Sequence, residues 1–291
     1  MNPMETKFIA DIGSNHNQSW SRCKALIKEA ARINCWGVKF QLFDAEKLYA
    51  PGFANIEELK KRELPVKWIK KIARLCKKLK IKFGCTPFYI EAVEQLEKYV
   101  DFFKISSFDI KRKNLIYCCA IRKQPLLISC GLASDTDIVK AKHICELVNK
   151  RNVYFLHCVS DYPTHCNNSS VNRILENLLI TGYSDHTTNQ AVICKAVNCG
   201  AEYIEFHFDL NDQKGLEYDC GHCWLPDSID SIIFSIQNGF FTKESLDIIS
   251  NSCGIDFSNK NIPFKKMMQR ASGTDGMRPS KYARMLKHKR G

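Results

Sequence analysis

The chain has 291 residues, 45% hydrophobic and 25% charged, which excludes a largely disordered protein and leaves ample apolar material for a core. No run approaches the roughly 20 apolar residues of a membrane-spanning helix, and residues 1–7 lack the basic, then apolar, start of a secretory leader, so a cytoplasmic protein is expected. The formal net charge of +12 points to an anionic partner, a phosphorylated small molecule or a nucleic acid, yet no nucleic-acid-binding motif accompanies the basic helical face of Lys67, Lys70, Lys71, Arg74, Lys77 and Lys78.

Eight short apolar runs recur at residues 8–12, 37–41, 81–85, 102–106, 125–129, 153–158, 180–184 and 203–208. Near-continuous runs rich in Ile, Val and Phe are what strands buried on both faces of a parallel sheet require. Helical periodicity fills the intervals. Residues 21–33 place Leu26, Ile27, Ala30 and Ala31 on one face, residues 89–99 do so with Ala92, Val93 and Leu96, and residues 136–148 with Ile138, Val139, Ile144 and Leu147. The interval 42–80 is longer; it holds Ala50-Pro-Gly-Phe53 and an amphipathic helix, and predicts an extended loop over the site. Two further helices are predicted at 227–237 and 243–249.

Strands alternating with helices imply βα units joined by right-handed crossovers, and eight of them predict a closed (β/α)8 TIM barrel over residues 1–258, followed by a basic tail at 259–291. An open doubly wound sheet is the alternative, but no glycine-rich nucleotide fingerprint follows the first strand. The fifteen cysteines sit largely inside apolar runs, as in Ile128-Ser-Cys-Gly131, and are read as reduced, core-filling thiols.

Catalytic side chains of such barrels come from the C-terminal ends of the strands. Those positions here are polar: Asp11, Asn15 and His16; Lys39 and Gln41; Thr86; Lys104, Ser106 and Ser107; Ser129; His157, Ser160, Asp161 and Tyr162; Ser184, Asp185 and His186; Glu205 and His207. A lysine, histidine or glutamate in an apolar strand is costly unless paired or ligated. Lys39 and Lys104 supply two cations for a phosphate or carboxylate, with Ser107 and Ser129 as neutral donors. His186 and His207, from neighbouring strands, suit a divalent metal, and Glu205, on the same side of its strand as His207, suits proton transfer.

Seven segments, Asp11-Ile-Gly-Ser-Asn-His16, Val38-Lys-Phe-Gln41, Cys85-Thr-Pro-Phe88, Phe103-Lys-Ile-Ser-Ser107, His157-Cys-Val-Ser-Asp-Tyr-Pro163, Gly182-Tyr-Ser-Asp-His-Thr187 and Glu205-Phe-His-Phe208, resemble in order the N-acetylneuraminate (sialic acid) synthase family. The resemblance implies condensation of phosphoenolpyruvate with an N-acetylated sugar such as N-acetylmannosamine, releasing phosphate by C–O cleavage. It implies a divalent ion, Mn²⁺ or Mg²⁺, on His186 and His207. Lys39, Lys104, Ser107, Ser129 and Ser184 match positions that hold phosphoenolpyruvate; Tyr162 and Glu205 match positions facing the sugar; Asp219 matches an acidic position near the metal. With these, Asp11, Glu205 and Lys104 form the expected catalytic set, and Gln41 and Ser160 join the substrate-binding set. The resemblance also implies a homodimer.

Three departures bear on the acceptor. Ala10-Asp-Ile-Gly13 stands where the family has Ala-Glu-Ile-Gly, so Asp11 reaches one methylene less. Glu217-Tyr-Asp-Cys-Gly-His-Cys-Trp-Leu-Pro226 replaces the family's Gly-Pro-Asp-His stretch. The family's C-terminal antifreeze-like domain is expected to be absent. Asp219, Cys220, His222 and Cys223 alternatively read as a small soft-metal site, and Arg278 as a substitute sugar contact. Two rival functions remain: a Schiff-base aldolase with Lys104 as nucleophile, and a non-catalytic basic barrel that binds nucleic acid.

Overall fold

The computed structural model describes residues 6–48, 55–241, 243–252, 254, 255 and 257. Among them, nine strands form one sheet in sequence order, and β1 pairs with β8 to close it. The strands are β1 (Lys7–Gly13), β2 (Gly37–Leu42), β3 (Lys82–Pro87), β4 (Phe102–Ile105), β5 (Leu126–Ser129), β6 (Val153–His157), β7 (Ile180–Asp185), β8 (Tyr203–Phe208) and β9 (Cys223–Trp224). All neighbours run parallel. The eight predicted runs are therefore the eight staves of a (β/α)8 TIM barrel. The two-residue β9, which the sequence reading did not include, lies outside the ring against β8.

Alternation along each strand sorts the side chains. One set points outward into the shell of helices, where Phe8, Val38, Phe83, Phe103, Phe155, Ile204 and Phe206 are buried. The other points into the barrel, whose lower part is plugged by Ile9, Phe102, Leu127, Leu156 and Tyr203, with Trp36 and Tyr154 beneath. Gly84 makes that plug possible: a Cβ there would stand 2.1 Å from the Phe102 ring. Each fully buried Leu, Ile or Phe contributes about 1.5–3 kcal/mol, so the shell and plug carry the stability that the polar upper barrel consumes.

The helices begin where the sequence provides caps. Ser19 accepts from the Arg22 N–H at the start of Trp20–Arg32, and Ser134 with Asp137 forms a capping box at the start of Asp135–Leu147. The first helix buries Cys23, Leu26, Ile27 and Ala30, close to the predicted face, with Ala31 at its edge. The second departs from prediction. Ile138, Ala141 and Cys145 face the core, while Val139 and Leu147 are exposed. Its stripe runs i, i+3, i+7, and Cys145, a small hydrophobe, takes the place assigned to a larger residue.

In the long β2–β3 interval the described residues contain helices Ala45–Leu48, Ile56–Lys60 and Ile69–Leu79 and a 3-10 turn Val66–Trp68. Ala50-Pro-Gly-Phe53, the tail at 259–291 and Arg278 lie outside the described residues. The fourteen described cysteines form no disulfide with one another, and most are buried. No helix among the described residues is long and apolar enough to cross a membrane.

Candidate active site

Above the apolar plug the inward positions turn polar within one layer. Register places Asp11 opposite Lys39, and Ser184 opposite Glu205. Lys39 forms a short ion pair with Asp11 and stands 3.6 Å from Glu205. Lys104 donates to the Ser129 hydroxyl at 2.6 Å and the Ile105 carbonyl at 3.1 Å, and lies 3.2 Å from Glu205. Ser184 donates to Glu205 at 2.9 Å, and the Gln41 amide to Asp11 at 3.3 Å. Two ammonium groups and two carboxylates thus alternate in the order Asp11, Lys39, Glu205, Lys104, nearly out of contact with water.

Charges so buried cost several kcal/mol each unless matched. Burial alone would raise the Glu205 carboxyl, but Lys104, Lys39 and the Ser184 hydroxyl hold it down at about 2. Burial would likewise lower Lys39; Asp11 and Glu205 outweigh it and raise its pKa. Glu205 and Lys39 are therefore held in their charged forms at neutral pH, in a layer that can receive an anionic ligand.

At the mouth sits a ring of aromatic side chains. The His186 ring, at the end of β7, lies 5.5 Å from that of His207 on β8, and Tyr162 packs 4.2 Å from His186. His222 joins them, 4.4 Å from His207 and 5.0 Å from Tyr162. His186 Nδ1 is 2.6 Å from the Val159 carbonyl, which fixes that nitrogen as the donor and leaves Nε2 as a lone pair. His207 Nδ1 is 2.8 Å from Glu217, and its Nε2 is 3.6 Å from Asp11. Burial and the neighbouring His207 push His186 well down, and push His222 down to about 3. For His207 the effect of burial is outweighed by Asp11 and Glu217, and its pKa rises. Imidazoles backed by a carbonyl and a carboxylate form a donor set that fits a divalent metal ion, whose binding would displace the proton that Asp11 and Glu217 favour on His207.

Most predicted residues meet here. Asp11, Lys39, Gln41, Lys104, Ser129, Ser184 and Glu205 share the polar layer; Tyr162, His186 and His207 share the ring above it. Ser107 and Ser160 meet in a 2.6 Å hydrogen bond. Asp219 does not enter: it is exposed on the 3-10 turn Tyr218–Cys220, and the carboxylate beside the histidines is Glu217. Nor do the thiols form a soft-metal site, since Cys220 is exposed and Cys223, its thiol pushed up by burial, accepts from the Asn15 amide at 3.4 Å. His157, grouped with the mouth residues by sequence, shares the outward side of β6 with Phe155 and bonds the Ser169 carbonyl at 2.9 Å. Asp185 and Asn15 are structural: Asp185 accepts from Trp224 and Thr187, and Asn15 spans the Phe208 carbonyl and the Glu217 N–H.

Glu217 is the residue the sequence reading passed over. Its second oxygen accepts from the Ser14 N–H at 2.6 Å, and it opens the segment that replaces Gly-Pro-Asp-His. Gly13 leaves room for it: at φ +48° a Cβ would fall 2.3 Å from the Glu217 carboxylate. β9 closes the segment, pairing Cys223 with His207 and delivering His222 to the ring.

A (β/α)8 barrel with a buried lysine–carboxylate layer beneath a histidine ring defines the class as a barrel with an anion- and metal-suited site. The chain belongs to the NeuB family, whose profile matches residues 26–243. It is 33% identical over 231 residues to an N,N'-diacetyllegionaminic acid synthase of Campylobacter jejuni, covering 71% of this chain and 68% of that one. It is 32% identical over 211 residues to a protein of Methanocaldococcus jannaschii described as uncharacterized, covering 71% of this chain and 63% of that protein. The chain thus spans about two thirds of the length of these curated relatives. The crystal structure of a sialic acid synthetase from Leptospira borgpetersenii, solved with citrate, superposes with a TM-score of 0.74 at 24% identity, covering 91% of this chain and 90% of that one.

Proposed function

We propose that this chain condenses phosphoenolpyruvate with an N-acetylated sugar aldehyde, N-acetylmannosamine or a related amino sugar, to give a nonulosonic acid and inorganic phosphate. The observation that carries this reading is the buried Lys39–Asp11 and Lys104–Glu205 layer directly beneath His186 and His207. A catalyst that joins a phosphorylated enol acid to an aldehyde needs fixed cations for two anionic groups and an electrophile-activating position beside them.

In this reading Lys39 and Lys104 receive the phosphate and carboxylate of phosphoenolpyruvate, and Ser107, Ser129, Ser160 and Ser184 supply hydroxyl donors around them. Tyr162 and Gln41 face the sugar. When bound to His186 and His207, a Mn²⁺ or Mg²⁺ ion supplies Lewis acidity toward the aldehyde carbonyl. C3 of phosphoenolpyruvate attacks the aldehyde carbon, and the enol electrons leave C2 cationic. Water adds at C2, and the C2–O bond to phosphate breaks. Glu205 and Asp11, held next to the two ammonium groups, are placed to move the protons of the new hydroxyl and of the attacking water.

The Schiff-base alternative uses Lys104 as a nucleophile, but Lys104 is committed to Ser129, Ile105 and Glu205, and that chemistry gives the histidine ring no task. The test is phosphate release from phosphoenolpyruvate with Mn²⁺ over a panel of N-acetylated hexoses, including N-acetylmannosamine and 2,4-diacetamido sugars. Release should require both sugar and metal and vanish in His207→Ala. Metal-independent turnover together with borohydride trapping of pyruvate on Lys104 would transfer the assignment to an aldolase.

A further inference from the structure

We propose that His222 is a third imidazole ligand of the divalent ion, beside His186 and His207, with Glu217 the carboxylate that orients His207; this rests on the metal reading given above. His222 is buried, its Nδ1 has no well-formed hydrogen bond although the Cys220 backbone lies close to the ring, and its Nε2 stands 4.0 Å from Glu217. A buried nitrogen without a well-formed partner is costly, and a cation is a group that would repay it. Ligand-capable atoms of His207, Glu217 and His222 lie within 4.8 Å of one another, and the His222 ring is 6.3 Å from that of His186.

The placement is built, not incidental. β9 pairs Cys223 with His207, so the residue just before it is carried to the mouth on backbone hydrogen bonds. Gly221 turns at φ +76° against the Pro163 ring, directing the chain inward, and Trp224 is tied to Asp185 at 2.8 Å. Glu217 is in turn held by the Ser14 N–H, so His207 receives a fixed carboxylate partner on Nδ1 and presents Nε2. Three imidazoles favour borderline ions such as Zn²⁺ and Co²⁺ over Mn²⁺ and Mg²⁺ more strongly than two do.

The test titrates chelator-stripped protein with Co²⁺, read by visible absorption and by competition with a dye chelator. Wild-type protein should bind one Co²⁺ per chain. His222→Gln and His222→Asn should still bind one, roughly 10–100-fold more weakly, with a weaker and shifted absorption band, and the Zn²⁺-over-Mn²⁺ preference should drop with them; Glu217→Gln should weaken binding by a similar roughly 10–100-fold without that loss of preference. Melting of the metal-free variants reports their fold. On the wild-type Co²⁺ protein itself, paramagnetically shifted imidazole N–H resonances should number three. Unchanged affinity and spectrum in both His222 variants, with binding abolished in His186→Ala, or two shifted resonances, would overturn the role of His222 and leave a two-histidine site. Absence of stoichiometric Co²⁺ from the wild-type protein would overturn this inference and the metal reading together.

Discussion

Glu205 stands between two buried ammonium groups, 3.2 Å from Lys104 and 3.6 Å from Lys39. Replacing it with glutamine keeps the shape and removes one counter-charge, so the expected cost is about 3–5 kcal/mol of stability in urea unfolding. Phosphate release should fall about 10²–10⁴-fold, and added inorganic phosphate should raise the melting temperature more in Glu205→Gln than in the wild type. His157 offers a second reading at this scale. Burial, with Arg173 nearby, lowers its pKa from 6.5 to about 4. A histidine that is harder to protonate folded than unfolded loses stability as pH falls through that window. The loss should reach about 2 kcal/mol by pH 5 and shrink in His157→Asn, measured by unfolding at pH 7 and pH 5. Both residues were visible in the sequence as polar groups in apolar strands, but their roles differ by the parity of their position, which decides between barrel interior and helix shell.

At the scale of elements, the strands and their order were legible because each is a short run buried on both sides. The helix Asp135–Leu147 was located correctly but its core face only in part: Ile138 and Ile144 meet the core while Val139 and Leu147 do not, since a single helix does not reveal which of two apolar edges meets the sheet. The segment between β8 and β9 was harder still. Its contribution depends on contacts across the barrel, between Glu217 and Ser14 and between Asn15 and the Phe208 carbonyl. Two glycine substitutions separate these effects. Gly84→Ala pushes a methyl into the Phe102 ring and should cost about 1–3 kcal/mol of stability while leaving metal affinity near wild type. Gly13→Ala meets the Glu217 carboxylate at a positive φ, and should cost a similar amount, about 1–3 kcal/mol, and weaken Co²⁺ binding as well. Equal metal affinity in the two variants would remove Glu217 from the site.

For the whole molecule, the chain carries a net charge of +12, and the site holds two buried cations, Lys39 and Lys104. The field of such a charge raises the encounter rate of a multiply charged anion and is screened within about 8 Å at physiological ionic strength. Raising NaCl from about 0.05 M to about 0.5 M should therefore raise KM for phosphoenolpyruvate several-fold with little change in kcat. A KM insensitive to salt would confine the electrostatics to the buried layer.

Read by itself, the sequence determined the number and order of the eight barrel strands, the closed barrel, the family, and the set of strand-end residues from Asp11 to His207. These are properties of local pattern: apolar runs, helical periods, and short motifs carried on single strands. The tertiary structure alone decided which polar groups share a layer, that His157 faces away, that Asp219 stays in water, and that Glu217 and His222 close on the histidines. Those outcomes depend on strand parity, on register between β1 and β8, and on a loop pinned by β9. Such relations hold between residues about 200 positions apart, and no local pattern encodes them.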